Sequence, residues 1–157
     1  MGHEDILYVG IDPGNTGALA VLDAAGWCKN IVDFGTPGYT DWVGIDNTYK
    51  VMLEKVNAMP KQGVSSTFKL GMAYGYNIGM LEAWGISYTF VTPAKWQASM
   101  YDSAARTGNT KKDSLALARR LFPELARNEL RLEKHHNRSD ALLLAEYCRR
   151  LYLGIDW

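Results

Sequence analysis

The chain has 157 residues, of which 47% are hydrophobic and 22% are charged, so we expect a single compact domain over residues 1–157. Its two cysteines lack metal-ligand spacing and cannot form a disulfide framework, so we expect both to be reduced, in the cytoplasm. No apolar run has the length needed to span a membrane, and we expect no membrane partner.

The charges are distributed unevenly along the chain, although the formal net charge is zero. Residues 1–85 carry 5 Lys and Arg against 9 Asp and Glu, whereas residues 86–157 carry 12 against 8. A basic surface beside an acidic pocket is what an enzyme acting on phosphodiesters needs. Solvated helix faces would produce the same balance, so charge alone leaves both interpretations open.

Hydrophobic patterning predicts five strands and four helices in a mixed α/β layer architecture. In chain order these are strands over Ile6–Asp12, Ala18–Leu22, Cys28–Phe34 and Tyr49–Val56, a helix over Ser66–Trp84, a strand over Ser87–Thr92, and helices over Pro93–Tyr101, Thr110–Phe122 and Asn137–Tyr152. The turn cluster Asp12-Pro13-Gly14-Asn15 separates the first strand from the second, which we expect to return antiparallel.

The first long helix carries three glycines, Gly71, Gly75 and Gly79, at intervals of four residues on one face. A glycine inside a helix costs about 1 kcal/mol relative to alanine. Three in register therefore predict that another backbone packs closely against them. The sheet, a neighbouring helix and the same helix of a second subunit are all possible partners.

Two carboxylates occupy positions where the pattern predicts burial. Asp12 ends an almost wholly apolar strand, and Asp140 shares a helix face with Leu143, Leu144 and Tyr147. An unpaired buried carboxylate is costly, so each needs a partner. For Asp140 one alternative is its own helix: with Asn137 as N-cap, it would face backbone N–H groups of the first turn.

A third carboxylate, Glu54, lies inside the predicted fourth strand, where alternation places it with Met52 and Val56. On its own, Glu54 would be explained by the solvated face of an edge strand. Together, Asp12, Glu54 and Asp140 can converge on one point, and converging carboxylates need a cation. Oxygen ligands suit Mg²⁺ or Mn²⁺. Two such ions about 4 Å apart would activate a water and stabilise the leaving oxygen of a phosphodiester.

Five stretches, in this order, are similar to the motifs of one protein family. They are "GIDPGNTGALAVLD", "VMLEKVNAMPKQGVSSTFKLGMAYG", "SYTFVTPAKWQ", "NTKKDSLALARRLFPEL" and "RSDALLLAEYCRR". The chain resembles the RuvC family of Holliday junction resolvases over about residues 6–152, and within it the small phage-type and chloroplast-like branch. The first stretch alone also resembles the opening of sugar kinases and actin-like ATPases.

The resemblance implies a ribonuclease H-like α/β fold, with a mixed five-stranded sheet flanked by helices. It further implies a homodimer that binds a four-way DNA junction and makes paired, symmetric nicks with Mg²⁺ or Mn²⁺. The helix with Gly71, Gly75 and Gly79 would lie in or near the dimer interface. A small resolvase of this branch fits a bacteriophage gene that acts in the host cytoplasm.

By the same resemblance, Asp12, Glu54 and Asp140 would be metal ligands and catalytic residues. The family's fourth ligand is an acid or a histidine just before the last aspartate. We assign it to His136, one helical turn before Asp140, with His135 as the second choice and a surface histidine as the alternative. Imidazole in place of a carboxylate favours Mn²⁺ over Mg²⁺.

DNA contacts are expected from the basic second half of the chain and from the loop after Glu54. Lys111 and Lys112 would contact phosphates through their charge. Phe68, with Met59, would stack on bases near the junction centre, although a core role for Phe68 is equally compatible with the sequence. The weaker candidates for DNA contact are Lys95, Arg106, Arg119 and Arg138.

The sequence departs from the family in one further respect and leaves other functions open. Only 41 residues separate Asp12 from Glu54, so a helix expected between the third and fourth strands is short or absent. A protein that binds branched DNA without cutting it, and a nuclease acting on flaps or RNA–DNA hybrids, are alternatives. A phosphotransferase of the sugar-kinase type would need two such domains, more than this length allows.

Overall fold

The computed structural model describes residues 5–102, 104 and 106–157 of the chain. Its elements are the strands β1 (Asp5–Asp12), β2 (Ala18–Leu22), β3 (Cys28–Asp33), β4 (Asn47–Glu54) and β5 (Tyr88–Val91), and the helices α1 (Val64–Ala83), α2 (Pro93–Met100), α3 (Thr110–Leu121) and α4 (His136–Leu153). Each predicted element is present, with its ends displaced by at most two residues. Within the described ranges, no helix is long and apolar enough to cross a membrane.

The five strands form one mixed sheet in the order β3-β2-β1-β4-β5. β1, β2 and β3 are antiparallel neighbours, whereas β4 runs parallel to both β1 and β5. β4 is therefore an interior strand, and the interpretation of Glu54 as an exposed edge-strand residue is wrong. The strand also ends at Glu54 rather than at Val56, so Glu54 terminates its strand just as Asp12 does.

Side-chain alternation gives the sheet two covered faces. Tyr8, Met52 and Val91 belong to one buried cluster, which includes residues of α2, α3 and α4. Val9 and Leu53 belong to the other, which includes residues of α1 and of segment 34–46. This is the predicted five-stranded sheet flanked by helices.

A glycine in β1 sets the distance between α4 and the sheet. Gly10 lies on the face of β1 that α4 covers, and a Cβ there would overlap the backbone of Ala141 and Ala145. Glycine in a strand interior commonly marks such a close approach of another backbone. Because Asp140 precedes Ala141, this contact brings Asp140 to the end of β1.

Hydrogen bonds connect the N-terminal end of α4 to β3, an edge strand of the sheet. Arg138 donates two hydrogen bonds of 2.8 Å to the carboxylate of Asp33, and Asn137 donates to the same carboxylate at 3.0 Å. The helix begins at His136, so Asn137 is not its N-cap and Asp140 lies beyond the first turn. The interpretation of Asp140 as a partner of its own helix terminus is therefore wrong.

The glycine stripe of α1 faces away from the sheet. The helix buries Ala73, Asn77, Met80 and Leu81, whereas no described atom comes within 4 Å of a Cβ built at Gly71, Gly75 or Gly79. The sheet and other helices of the chain are therefore wrong as packing partners for these glycines. A second subunit stays a prediction.

The segment between β3 and β4 contains turns and no helix, as the short spacing from Asp12 to Glu54 predicts. It nevertheless covers the sheet, because Tyr39 and Trp42 are buried in the cluster beneath α1. The Tyr39 hydroxyl donates a 2.6 Å hydrogen bond to Asn77 of α1. Tyr39 and Trp42 thus cover this part of the sheet without a helix between β3 and β4.

Candidate active site

The structure brings Asp12, Glu54 and Asp140 together at one end of the sheet. Ile11 pairs with Leu53 in the parallel ladder, so the residues that follow them, Asp12 and Glu54, end neighbouring strands. The alternation of side chains along each strand directs both carboxylates to the face of the sheet that α4 covers, and α4 is the helix that carries Asp140. Three elements that are distant in sequence therefore each contribute one carboxylate.

Each of these carboxylates accepts one hydrogen bond from the described part of the chain. The donors are the Gly14 N–H to Asp12 Oδ1 at 3.3 Å, the Trp96 indole N–H to Glu54 Oε2 at 2.7 Å, and the Ser114 hydroxyl to Asp140 Oδ1 at 2.5 Å. The second oxygen of each group receives no hydrogen bond from the described residues. Each carboxylate is thus held on one side and available for a ligand on the other.

Burial raises the pKa of all three carboxyl groups, and repulsion by neighbouring carboxylates adds to the effect on Glu54 and Asp140. For Glu54, burial and then the charges of Asp12 and Asp140 raise the pKa to about 8, against the effect of the Trp96 hydrogen bond. For Asp140, burial and the charge of Asp12 raise the pKa to about 7, although the Ser114 hydrogen bond favours the charged form. Burial also raises the pKa of Asp12. A nearby cation would favour the ionised form of each.

The donor chemistry of this cluster fits a hard divalent cation, because carboxylate oxygens are the ligands that Mg²⁺ and Mn²⁺ prefer. As the side chains stand, no three His, Cys, Asp or Glu residues within the described ranges are placed to hold one ion. The charge of Asp12 nonetheless raises the pKa of both Glu54 and Asp140, so the three carboxylates lie near one another.

The two neighbouring histidines have different surroundings. His135 is 8% exposed, and its Nδ1 accepts a hydrogen bond from the Leu132 N–H at 3.1 Å. His136 is the first residue of α4 and lines an open cleft. Partial burial, together with the charge of Lys111, lowers the pKa of His136 and favours the neutral imidazole that binds metals.

The cleft beside His136 has a volume of about 310 Å³ and is mainly basic. Lys111 and Lys112 lie exposed on the first turn of α3, which Asn109 caps by accepting a hydrogen bond from the Lys112 N–H. The charge of Lys111 lowers the pKa of Asp140, so this lysine lies near the carboxylates. The residues that line the cleft are Asn109, Lys111, Lys112, Leu115, Glu133, Lys134 and His136.

The weaker basic candidates divide into free and engaged side chains. Lys95 is exposed on α2, and Arg106 lies over the Tyr101 ring while donating to the Gln97 carbonyl. Arg119 donates to the carbonyls of Leu130 and Arg131, and Arg138 is engaged with Asp33 and the Glu129 carbonyl. Arg119 and Arg138 thus form bonds within the protein, although the sequence suggested that they contact DNA.

The two candidate stacking residues after β4 both point into solvent. Phe68 and Met59 are each 68% exposed. The core role for Phe68, which the sequence left open, is therefore wrong. An exposed phenylalanine and methionine after the strand that ends in Glu54 remain available to contact bases.

Sequence reasoning missed the residues that hold the carboxylates. Trp96 is completely buried, and its indole N–H donates to Glu54. The signal was available, because a buried indole N–H normally finds a hydrogen-bond partner. Ser114 offers no comparable signal, since its position depends on how α3 meets α4. Lys134, which lines the basic cleft, was noted only as part of a basic segment.

Comparison with solved structures identifies proteins that share this fold. The structure of Thermus thermophilus RuvC superimposes with a TM-score of 0.58 at 18% identity, over 95% of this chain and 97% of that one. The structure described as T. thermophilus RuvC in complex with Holliday junction substrate gives 0.57 at 17% identity, over 98% of each chain. The chain has the fold of RuvC. No family model and no curated protein sequence matches it.

This finding confirms the predicted resemblance at the level of the fold, including the five-stranded sheet flanked by helices. The shared fold does not by itself transfer an activity. Assignment to the phage-type and chloroplast-like branch stays a prediction.

Proposed function

We propose that this chain is a divalent-metal-dependent endonuclease that resolves four-way DNA junctions by paired, symmetric nicks. It acts as a homodimer in the cytoplasm, and residues 1–157 serve as one nuclease domain. The observation that carries the proposal is the cluster of buried carboxylates, Asp12, Glu54 and Asp140, in a chain with the fold of RuvC. A related structure holds a Holliday junction substrate, which supports branched DNA as the ligand.

Asp12, Glu54 and Asp140 would hold two ions of Mg²⁺ or Mn²⁺, with one free oxygen from each carboxylate. Such ions, when bound, activate a water and stabilise the leaving oxygen of the phosphodiester. The chain contributes the ligands in a buried setting and fixes each with one hydrogen bond. It also keeps the carboxylates close together, so a bound cation would offset the repulsion that disfavours their ionised forms.

The fourth ligand is His136 rather than His135. His136 precedes Asp140 by one helical turn, lines the basic cleft and is held neutral by Lys111 and by burial. His135 already uses Nδ1 to accept the Leu132 N–H and is almost fully buried. An imidazole among carboxylates supports a preference for Mn²⁺.

The DNA backbone would pass over the basic cleft next to the carboxylates. Lys111 and Lys112 would contact phosphates beside the scissile bond, and Lys134 extends the same surface. Exposed Lys95 and Arg106 are secondary contacts. These contacts would neutralise phosphate charges and would not read the base sequence, so DNA binding should weaken steeply as the salt concentration rises. Phe68 and Met59 would stack on unpaired bases at the junction centre.

The test is cleavage of a labelled, immobile four-way junction, beside a linear duplex, a flap and an RNA–DNA hybrid, with Mg²⁺ and Mn²⁺ tested separately. We expect paired nicks in the junction alone. Asp12→Asn should lower the rate by about 1000-fold while binding persists, because it removes several kcal/mol of metal-dependent stabilisation. His136→Ala should lose activity, whereas Asp46→Asn, at an exposed loop position, should behave as wild type.

Three results would contradict the proposal. Tight junction binding without cutting in either metal would indicate a protein that only binds branched DNA. Preferential cutting of the flap or the hybrid would keep the nuclease and change its substrate. An unimpaired Asp12→Asn variant would remove the metal role of the carboxylate cluster.

A further inference from the structure

Trp96 connects the sheet core to one of the candidate metal ligands. The residue lies on α2 and is completely buried, with its ring centroid 6.0 Å from that of Tyr101. Its indole N–H nevertheless points at the sheet end and donates to Glu54 Oε2 at 2.7 Å. One side chain therefore combines core packing with a direct contact to a candidate ligand.

The local fold explains how Trp96 reaches Glu54. Val91 pairs with Glu54 in the parallel ladder, and α2 begins two residues later, at Pro93. Thr92 caps this helix by accepting a hydrogen bond from the Lys95 N–H at 3.3 Å. The turn from strand to helix thus makes Trp96 the fourth residue of α2, five positions after the residue that pairs with Glu54.

Because Trp96 is tightly packed, its hydrogen bond can fix the position of the Glu54 carboxylate. A glutamate side chain has three rotatable torsions, so its carboxylate can take many positions unless something fixes it. A large buried ring has almost no freedom to move, since a packed core has few voids. A hydrogen bond from such a ring fixes one oxygen of Glu54 and leaves Oε1 without a hydrogen bond from the described residues.

We propose that Trp96 is a positioning residue, whose indole N–H holds the Glu54 carboxylate so that its second oxygen is presented to the divalent cation. The inference deepens the proposed function and rests on it. Trp96 does not touch the substrate or the ion; it acts through Glu54. Hydrogen bonds from outside the ligand set commonly orient metal ligands, and their loss weakens metal binding by about 10–100-fold.

The chain supplies a matched control in Trp42. This tryptophan is 6% exposed and packs edge-to-face with Trp84 and Tyr49 on the opposite side of the sheet. Within the described residues, its Nε1 has no hydrogen-bond partner. Replacing either tryptophan by phenylalanine removes the same atoms from a buried site, but only at Trp96 does this remove a contact to a carboxylate.

The experiment compares full-length Trp96→Phe, Trp42→Phe and wild type. Mn²⁺ binding is measured by calorimetry, and Tm is measured in EDTA. We expect Trp96→Phe to weaken Mn²⁺ binding by about 10–100-fold and to raise the Mn²⁺ concentration for half-maximal junction cleavage equally. Trp42→Phe should keep the Mn²⁺ affinity of wild type, although both variants lower Tm in EDTA.

A second substitution distinguishes loss of the hydrogen bond from loss of core packing. Incorporating 3-benzothienylalanine at position 96 keeps the size of the indole and replaces the N–H by sulfur. We expect it to retain Tm in EDTA and to lose Mn²⁺ affinity as Trp96→Phe does. That combination assigns the effect to the hydrogen bond rather than to packing.

The outcomes separate this inference from the proposed function. Wild-type Mn²⁺ affinity in both position-96 variants, with wild type itself cutting junctions, would overturn the role of Trp96 alone. An equal loss of affinity in Trp42→Phe would do the same, because it would indicate a general packing effect. A wild-type protein that neither binds Mn²⁺ nor cuts junctions would overturn the proposed function and, with it, the role of Trp96.

Discussion

At the scale of single residues, the carboxylate cluster opposes the stability of the fold that carries it. Glu54 is buried beside the charges of Asp12 and Asp140, and Asp140 is buried beside the charge of Asp12, so the ionised forms of both are disfavoured. In the unfolded chain the same groups are solvated and far apart. A protein that keeps such an arrangement needs a compensating charge, which is the physical basis for expecting a cation.

Because the ionised form of Glu54 is disfavoured in the folded protein, the stability of the metal-free protein should fall as pH rises. A carboxylate that is paired with a cationic side chain has the opposite effect. Glu54 keeps its proton up to about pH 8 in the folded protein, whereas its unfolded value is near 4.5. The folded state therefore binds more protons between these values, so the metal-free protein loses stability as pH rises through this window. Glu54→Gln should raise Tm in EDTA at pH 8 by about 3 °C or more and change it little at pH 4.5.

Thermal unfolding at the two pH values, in EDTA, measures this effect. The control is Glu124→Gln, at an exposed position outside the site, which should leave Tm unchanged at both. Adding Mn²⁺ at pH 8 should raise the Tm of wild type and not that of Glu54→Gln. If Glu54→Gln instead lowers Tm at pH 8, Glu54 is not held against the charges of Asp12 and Asp140.

At the scale of secondary structure, the contact between β1 and α4 decides where Asp140 lies. A methyl group on Gly10 would meet the backbone of Ala141 and Ala145, which cannot rotate away as a side chain can. Gly10→Ala should therefore displace α4 and destabilise the protein by about 1–3 kcal/mol. Because Asp140 moves with the helix, junction cleavage should remain impaired even where the variant is fully folded.

Urea unfolding, together with single-turnover cleavage at a temperature well below the Tm of the variant, checks this expectation. Gly63→Ala is the matched control, since a Cβ there has no described atom within 4 Å. That variant should keep its activity and lose at most about 1 kcal/mol of stability, because Gly63 is the N-cap of α1 and alanine is a poorer cap than glycine. A Gly10→Ala variant that cuts at the wild-type rate would show that α4 does not need this close approach to place Asp140.

The same elements show what the sequence could and could not predict. Strand and helix periods are local properties, so each of the nine strands and helices predicted from the sequence is present in the described residues, with its ends within two residues. The position of Glu54 at the end of β4, rather than inside it, depends on how β4 pairs with β1 and β5. The bonds from Trp96 and Ser114 likewise depend on helix placement. Convergence of the three carboxylates followed from their burial, whereas the donors that hold them did not.

At the scale of the whole molecule, the candidate site and the exposed glycines lie on opposite faces of the sheet. Helices α2, α3 and α4 surround the carboxylates, and α1 covers the other face. On α1 the glycines lie beside exposed apolar side chains, among them Met72 and Tyr76. A homodimer formed through this surface would leave both sets of carboxylates free to meet DNA.

The last prediction concerns this proposed homodimer. Glycines at intervals of four residues let two helix backbones approach closely, so a bulky side chain at Gly75 should separate the subunits. Gly75→Leu should be monomeric by sedimentation, whereas Ala98→Leu, at an exposed position of α2, should match wild type. Since no described atom lies within 4 Å of a Cβ at Gly75, the fold of each subunit should be unaffected.

The monomer should also differ from the dimer in how it cuts. Paired nicks require two sites on one junction, so Gly75→Leu should nick one strand at a time and release partly cut junctions. A supercoiled cruciform plasmid separates the two products, because paired nicks give linear DNA and a single nick gives the relaxed circle. A Gly75→Leu protein that stays dimeric and linearises the plasmid at the wild-type rate would place the subunit interface elsewhere than α1.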